Sequence, residues 1–392
     1  MAADLKEIYD VLIVGAGPAG SSAAIRIADA GRKVLLVEQK RFPREKLCGE
    51  FVSPECLEHF RELGIDPEID LVNPSPIIET VFYSRRGKAL RIDNRWLGGS
   101  EENAIGLSRA KLDQLLIERA SESGVDILQE TTAMPILKSG RLDAVRLRSP
   151  DGLSETVKTV ITIDATGRGR ALSRSFTGSR NQKRADYVAF KAHLRGARVE
   201  NGACEIYVYP GGYGGCARIE NGLYNLCFIV KASQVKQLNS DPNRIWREVI
   251  LKNKRAVETL RPAAVDGEWL AVPITQLGRG SAVPADGLLA VGDAASFIDP
   301  FTGSGILIAL ETAKLAGDAI TQHSDFNEIA RAYRHSYNAA FKRRLFVSSL
   351  IRQAGKANRL ADAAIALLGS SKALGKIASQ ATRSGSALKT KT

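Results

Sequence analysis

Histidine, cysteine and long apolar runs are all scarce in these 392 residues. The four histidines, His59, His193, His323 and His335, show no metal-ligand spacing and read as structural or surface residues, so no metal site is expected. The five cysteines, Cys48, Cys56, Cys204, Cys216 and Cys227, contain no CxxC pair. That argues against zinc or a disulfide framework and for a reducing cytosol. No stretch approaches the roughly 18 apolar residues of a spanning helix. Residues 1–10 lack the basic, apolar and small-residue order of a signal peptide, and a cytoplasmic protein is expected. Neither a GxSxG elbow nor a GxxxxGK[ST] loop is present, so serine-hydrolase and P-loop chemistry have no motif to rest on.

Apolar residues are nonetheless plentiful, at 44% against 25% charged, so a sizeable core can form and general disorder is excluded. The length suggests two domains, or one large domain with an insertion. The net charge of +12 is confined to one end: from Arg331 onward there are 13 basic residues and one acid, Asp362, while the rest holds 42 of each sign. A nucleic-acid enzyme would carry its basic surface on the folded body, so no nucleic-acid partner is expected. Apolar residues alternate with these charges, as in amphipathic helices broken near Gly369. Such an extension either packs on its own body with a solvated basic face or leans on an anionic membrane. The former is the preferred expectation.

The chain begins with a short apolar strand, Asp10 to Val14, then Gly15-Ala-Gly-Pro18-Ala19-Gly20, a small-residue helix, and a second strand at 33–38. This is a complete βαβ start. Gly15 permits the tight turn, Gly17 lets backbone approach a pyrophosphate, and Gly20 lets helix and sheet pack closely. The pyrophosphate sits at the helix N-terminus, where free N–H groups favour an anion. Glu38, followed by Gln39, ends the second strand at the position that accepts hydrogen bonds from an adenosine ribose, which disfavours NADP in this slot. Further along, a helix is expected over 110–123, strands at 125–128, 160–164 and 288–291, and an antiparallel sheet from about 188 to 230. A long helix is expected over 302–320. The fold class is therefore α/β, a Rossmann-type parallel sheet plus an antiparallel-sheet substrate domain and a C-terminal helical extension. The boundaries are 1–75, 100–180 and 275–345 for the discontinuous dinucleotide domain, 76–99 and 181–274 for the substrate domain, and 346–392 for the extension.

A second anchor lies in Gly292-Asp293-Ala-Ala-Ser-Phe-Ile-Asp-Pro-Phe-Thr-Gly303-Ser304-Gly305-Ile306. Asp293 follows a buried strand, at the end where ligands bind, Pro300 turns the chain, and Gly303 to Gly305 open a helix toward another anionic locus. A dinucleotide with a ribityl chain and a redox ring needs such an anchor, and NAD does not.

With these motifs the sequence resembles the flavoproteins of the para-hydroxybenzoate hydroxylase superfamily, and most of all the geranylgeranyl reductases. The resemblance spans about residues 8–345 and includes the Gly106-to-Asp113 stretch and Asp164-Ala-Thr-Gly167. It implies FAD as cofactor, with Asp293 on the ribityl chain, the backbone at Gly303 to Ile306 facing the pyrimidine edge, and Arg109 contacting the flavin. A second GxGxxG is missing, so the reductant, NAD(P)H or a protein electron donor, is expected to bind transiently. In that group a Lys-x-Cys-Gly stretch matches Lys46, Cys48 and Gly49, which implies Cys48 beside the flavin, serving as an acid or as packing. Glu50 reads as a second acid or, by preference, as a surface carboxylate beside Arg44. Tyr213 is expected near the substrate. Archaeal lipid reductases carry a Trp two residues after the corresponding Tyr, and this chain has Gly215.

The expected function is reduction of C=C bonds in a prenyl or similar apolar chain, on a small hydrophobic substrate. The alternative is a flavin monooxygenase acting on an aromatic, quinone or polyketide-derived substrate. A halogenase shares the Phe297-to-Pro300 run but also needs Trp-x-Trp, and Trp96, Trp246 and Trp269 are far apart.

Overall fold

A computed structural model describes residues 8–97, 102–176, 185–275, 278–297 and 303–355, with 343–355 described by backbone alone. Asp299, Pro300 and the extension beyond residue 355 lie outside the described residues.

Val11–Val14 and Val34–Val37 are short runs of apolar residues that are buried along their whole length. A strand with no polar face must be covered on both sides, as in parallel sheets. Among the described residues, five parallel strands follow the order Leu288–Ala290, Ile161–Asp164, Val11–Val14, Val34–Val37, Asp126–Leu128. Alternation divides their side chains between two layers. Val11, Ile13, Val34 and Leu36 pack with the helices Pro18–Asp29, Arg109–Glu122 and Gly305–Gln322. Leu12, Val14, Leu35 and Val37 pack on Val145, Leu147 and Val157, from a three-stranded antiparallel meander over Thr132–Lys138, Arg141–Arg148 and Ser154–Val157. Nothing in the sequence reading assigned that meander. Its strands are half exposed, with Arg and Lys interrupting the apolar pattern.

The second sheet has seven strands in the order Ala264–Ile274, Tyr187–Arg195, Tyr224–Lys231, Gly212–Arg218, Ala203–Tyr209, Glu79–Tyr83, Ala89–Asp93. It is mostly antiparallel, but Ala203–Tyr209 pairs in parallel with Glu79–Tyr83, a departure from the purely antiparallel expectation. The two strands come from distant parts of the chain, so no hairpin turn dictates their direction. One face is closed by helices Pro242–Glu248 and Lys254–Leu260, through Phe190, Tyr207, Tyr209, Phe228, Ile245 and Leu260. The other face looks back toward the parallel sheet's loops.

The basic segment that begins at Arg331 starts within a helix that packs on the body. Helix Phe326–Gly355 buries Ile329, Tyr333, Tyr337 and Phe341. Tyr333 donates its hydroxyl hydrogen to the Ala290 carbonyl at 2.8 Å, and Tyr337 bonds Ser296 Oγ at 2.8 Å. Buried phenols need such partners, and these two fix the helix along the sheet edge.

Candidate functional site

The glycine-rich turn leaves the first strand beside Ala165. Gly15 has φ +102°, and a Cβ built there would meet the Ala165 carbonyl oxygen at 2.5 Å. At Gly20 a Cβ would fall 1.8 Å from the Gly15 oxygen, which makes the helix–strand contact possible only without a side chain. Gly17 differs. Its nearest neighbours would be the guanidinium of Arg109 at 3.6 Å and that of Arg44 at 3.9 Å, across otherwise open space. The helix that starts at Pro18, with Ala19 and Gly20 in its first turn, has Gly17 as N-cap, no side-chain cap and no acid there. Unsatisfied N–H groups therefore face two cations, a cradle for a di-anion.

Those cations are held from behind. Arg109 makes a bidentate ion pair with the buried Asp113, both contacts at 2.8 Å, and Arg44 reaches Asp113 at 3.0 Å. Asp113 and the Arg109–Asp113 hydrogen bonds raise the Arg109 guanidinium's pKa against the opposing effect of burial, so it stays charged. Ser108 caps this helix by accepting from Lys111 N.

Glu38 is nearly buried at the end of the second strand. Its Oε2 accepts from Ala16 N at 3.0 Å and lies 3.4 Å from Arg44, and its Oε1 accepts from Lys40 N at 3.0 Å. Gln39 beside it is exposed. Asp164 is buried and holds the following turn, accepting from Thr166 N, Thr166 Oγ1 and Ser173 N. Gly167 has φ +68° in that turn, with nothing within 4 Å of a built Cβ.

Asp293 sits after the Leu288–Ala290 strand, half-buried, and makes no hydrogen bond or ion pair among the described residues. Burial pushes its carboxyl up from the ordinary aspartate value, against the charges of Arg168, Arg109, Lys46 and Arg170. An unpartnered carboxyl amid four cations suits a hydroxyl-bearing, anionic ligand. Gly292, at φ +58°, donates its N–H to Thr312 Oγ1 at 2.8 Å. Gly303 and Ser304 lead into helix Gly305–Gln322, whose first turn includes Ile306 and carries no acid.

The third wall is the open face of the seven-stranded sheet. Register puts Tyr187, Ala189, Lys191 and His193 on it, beside Asn225, Cys227, Ile229 and Tyr213. Ala189, Ile229, Ile274, Phe297, Leu47 and Tyr213 form an apolar cluster between this sheet and the Cys48 and Asp293 segments. At Gly215 a built Cβ would meet Ile206 Cδ1 at 2.8 Å, so Ile206 closes the wall there. Gly49 is exposed, and Cys48 is half-buried: its sulfur accepts from Glu50 N at 3.4 Å, and its carbonyl accepts from Asn225 Nδ2 at 3.0 Å.

One sequence expectation fails here. Glu50 is not a surface carboxylate beside Arg44; it is fully buried, with Oε1 2.5 Å from Lys191 Nζ and 2.8 Å from Arg109 N, and Oε2 2.7 Å from His193 Nε2. His193, expected as a structural or surface residue, shares that buried carboxylate. The available signal was Lys191 and His193 at alternate positions of an otherwise apolar strand, with Lys191 on the face of Ala189. Glu45, Glu50 and His193 offer three clustered ligand atoms, but the Lys191 ammonium bonds both carboxylates, which disfavours a cation there.

A glycine turn at a helix N-terminus, a strand-end acid and a second helix-borne anchor define a dinucleotide flavoprotein. The profile of the FAD binding domain family matches residues 8–324, and this chain belongs to that family. It is an FAD-dependent oxidoreductase. Conditioned medium factor receptor 1 of Dictyostelium discoideum is 30% identical over 83% of this chain and 65% of its own length, so the chain spans somewhat less than two thirds of that relative. Digeranylgeranylglycerophospholipid reductase 2 of Methanopyrus kandleri is 27% identical, covering 84% of this chain and 81% of that one. Menaquinone reductase of Mycolicibacterium smegmatis is 27% identical over 80% and 76%. In fold, the chain matches a geranylgeranyl bacteriochlorophyll reductase-like protein of Thermoplasma acidophilum with TM-score 0.74 and 22% identity, covering 95% and 96%. Flavin-dependent halogenases share the fold at TM-score 0.75.

Proposed function

We propose that this chain is a reductase that saturates isolated C=C bonds in a prenyl or similar apolar chain. The observation that carries the reading is the apolar wall of Leu47, Ala189, Ile229, Ile274 and Phe297, set between the substrate sheet and the Asp293 anchor. A hydrocarbon chain is bound by burial of apolar area, at about 25 cal/mol per Å², and such a wall supplies that area. The relatives named as prenyl-lipid and menaquinone reductases support the same direction.

In this reading Gly15, Gly17, Pro18, Ala19 and Gly20 with Arg109 hold the pyrophosphate, Glu38 with Gln39 the adenosine ribose, and Gly167 lines the turn above it. Gly292 and Asp293 hold the ribityl chain, and Gly303, Ser304, Gly305 and Ile306 face the pyrimidine edge. FAD held there and reduced would supply two electrons as hydride. Cys48 and Gly49 lie at the active face, where the Cys48 thiol supplies or positions the accompanying proton, and Tyr213 contacts the substrate. NAD(P)H or a protein donor reduces the cofactor in a transient encounter. The account is tested by product mass. Reduced holoenzyme with a digeranylgeranyl phospholipid under anaerobic conditions should add two hydrogens per double bond. A product gaining one oxygen only in air would assign the site to hydroxylation instead.

A further inference from the structure

The Glu50 cluster is costly to build. A carboxylate, an ammonium and an imidazole have been taken out of water together, and buried ion pairs are on average no better than apolar replacements of similar volume. The Glu50 backbone also sits at φ +53°, a left-handed conformation that non-glycine residues rarely adopt. Burial alone would raise the Glu50 carboxyl's pKa; the His193 hydrogen bond and the Lys191 charge outweigh it and hold it below the ordinary glutamate value. Lys191, on the sheet, is held above its ordinary value by Glu50 and Glu45 against the opposing effect of burial.

The bonds of this one residue join three parts of the site. Its N–H donates to Cys48 Sγ, its carbonyl accepts from Leu107 N at 3.2 Å, and its Oε1 accepts from Arg109 N, the first residue of the helix whose guanidinium faces Gly17. Its carboxylate then ties all of these to strand Tyr187–Arg195 of the substrate sheet. Cutting that link would leave the Cys48 turn tied to the sheet by the Asn225 bond to the Cys48 carbonyl and by the Lys191–Glu45 pair, with each sheet intact.

We propose that Glu50 is a positioning residue of the active face: clamped by Lys191 and His193, it fixes the Cys48 turn against the substrate sheet. The other groups facing the cluster are Cys48 and Arg109 from the cofactor side, Cys227 and Asn225 from the neighbouring strand, and Asp266, opposite His193 and paired with Arg195.

This placement rests on Cys48 lying at the active face, but not on the reaction proposed above, and its test needs no substrate. Full-length protein is exposed to iodoacetamide at one fixed pH, and alkylation of Cys48 is read by peptide mass. His193→Asn should raise the Cys48 rate about tenfold over the wild type, the effect of losing one hydrogen bond to a buried carboxylate. His193→Gln, which keeps an N–H donor near the Nε2 position, should bring the rate back toward the wild type. Glu50→Gln should behave as His193→Asn does, and Glu50→Gln with Lys191→Met serves if the single variant does not fold. Equal Cys48 rates in wild type and His193→Asn would overturn the proposal, whatever the reaction proves to be.

Discussion

Arg109 Nη2 and the position a Gly17 side chain would take are 3.6 Å apart, with the open N-terminus of helix Pro18–Asp29 between them. The three glycines of the turn therefore fail differently when substituted. Gly17→Ala meets no hard contact and should fold with unchanged stability, yet it projects a methyl into the anion cradle. FAD affinity should fall by about 100-fold, near 2.7 kcal/mol. Gly20→Ala strikes the Gly15 carbonyl and should yield unfolded protein. Thermal melts with and without added FAD separate the two outcomes.

Arg109 and Asp113 form a buried pair, and removing Arg109 leaves Asp113 with Arg44 as its remaining cation. Arg109→Met should cost up to about 3 kcal/mol of stability, read as the shift of the urea midpoint. Arg109→Lys should recover little of it, because an ammonium cannot make the bidentate contact with Asp113.

Asp293 pays for its site in stability. Its folded pKa is raised, so the protonated form is favoured on folding, and that contribution is lost as pH rises through the folded value. Asp293→Asn should therefore make the FAD-free protein more stable at neutral pH. Asp293→Ala should weaken FAD by roughly 10-fold or more, the loss of a hydrogen bond to a ribityl hydroxyl. Equal FAD affinity in the alanine variant would remove Asp293 from the cofactor site.

His59, on helix Glu55–Leu63, is held down to about 4, chiefly by burial, with the charges of Arg26 and Lys314 adding to it. The unfolded chain therefore binds a proton that the folded protein refuses between about pH 6.5 and 4. Stability should fall as pH falls through that window, by up to roughly 3 kcal/mol. Relative to His59→Gln, the wild type's denaturation midpoint should therefore fall as pH is lowered from 7 to 4.

Much of the arrangement around the glycine turn was legible because local sequence dictates it. Strand, glycine turn, helix and acid are consecutive, so spacing alone put Gly15, Gly17, Gly20 and Glu38 together, and Asp293 was marked by the buried strand before it. The Glu50 cluster was not legible. Glu50, Arg109 and His193 are separated by 59 and by 143 positions from Glu50, and only the fold brings them to one carboxylate. The meander over 132–157 was missed for another reason: a bulge between Leu142 and Ala144 breaks the alternation, and Met134 and Leu137 leave apolar side chains exposed. The parallel pairing of Glu79–Tyr83 with Ala203–Tyr209 is likewise a long-range choice with no local turn to signal it.

The central claim is that this flavoprotein delivers its electrons to an apolar alkene and not to oxygen. The most direct measurement is a single turnover in a rapid-mixing absorbance experiment. Anaerobically reduced holoenzyme is mixed with a polyprenyl lipid in the absence of oxygen. The account predicts return of the oxidised flavin spectrum at a rate that rises with lipid concentration. A flavin that stays reduced until oxygen is admitted, then passes through a distinct intermediate spectrum before reoxidation, would contradict it.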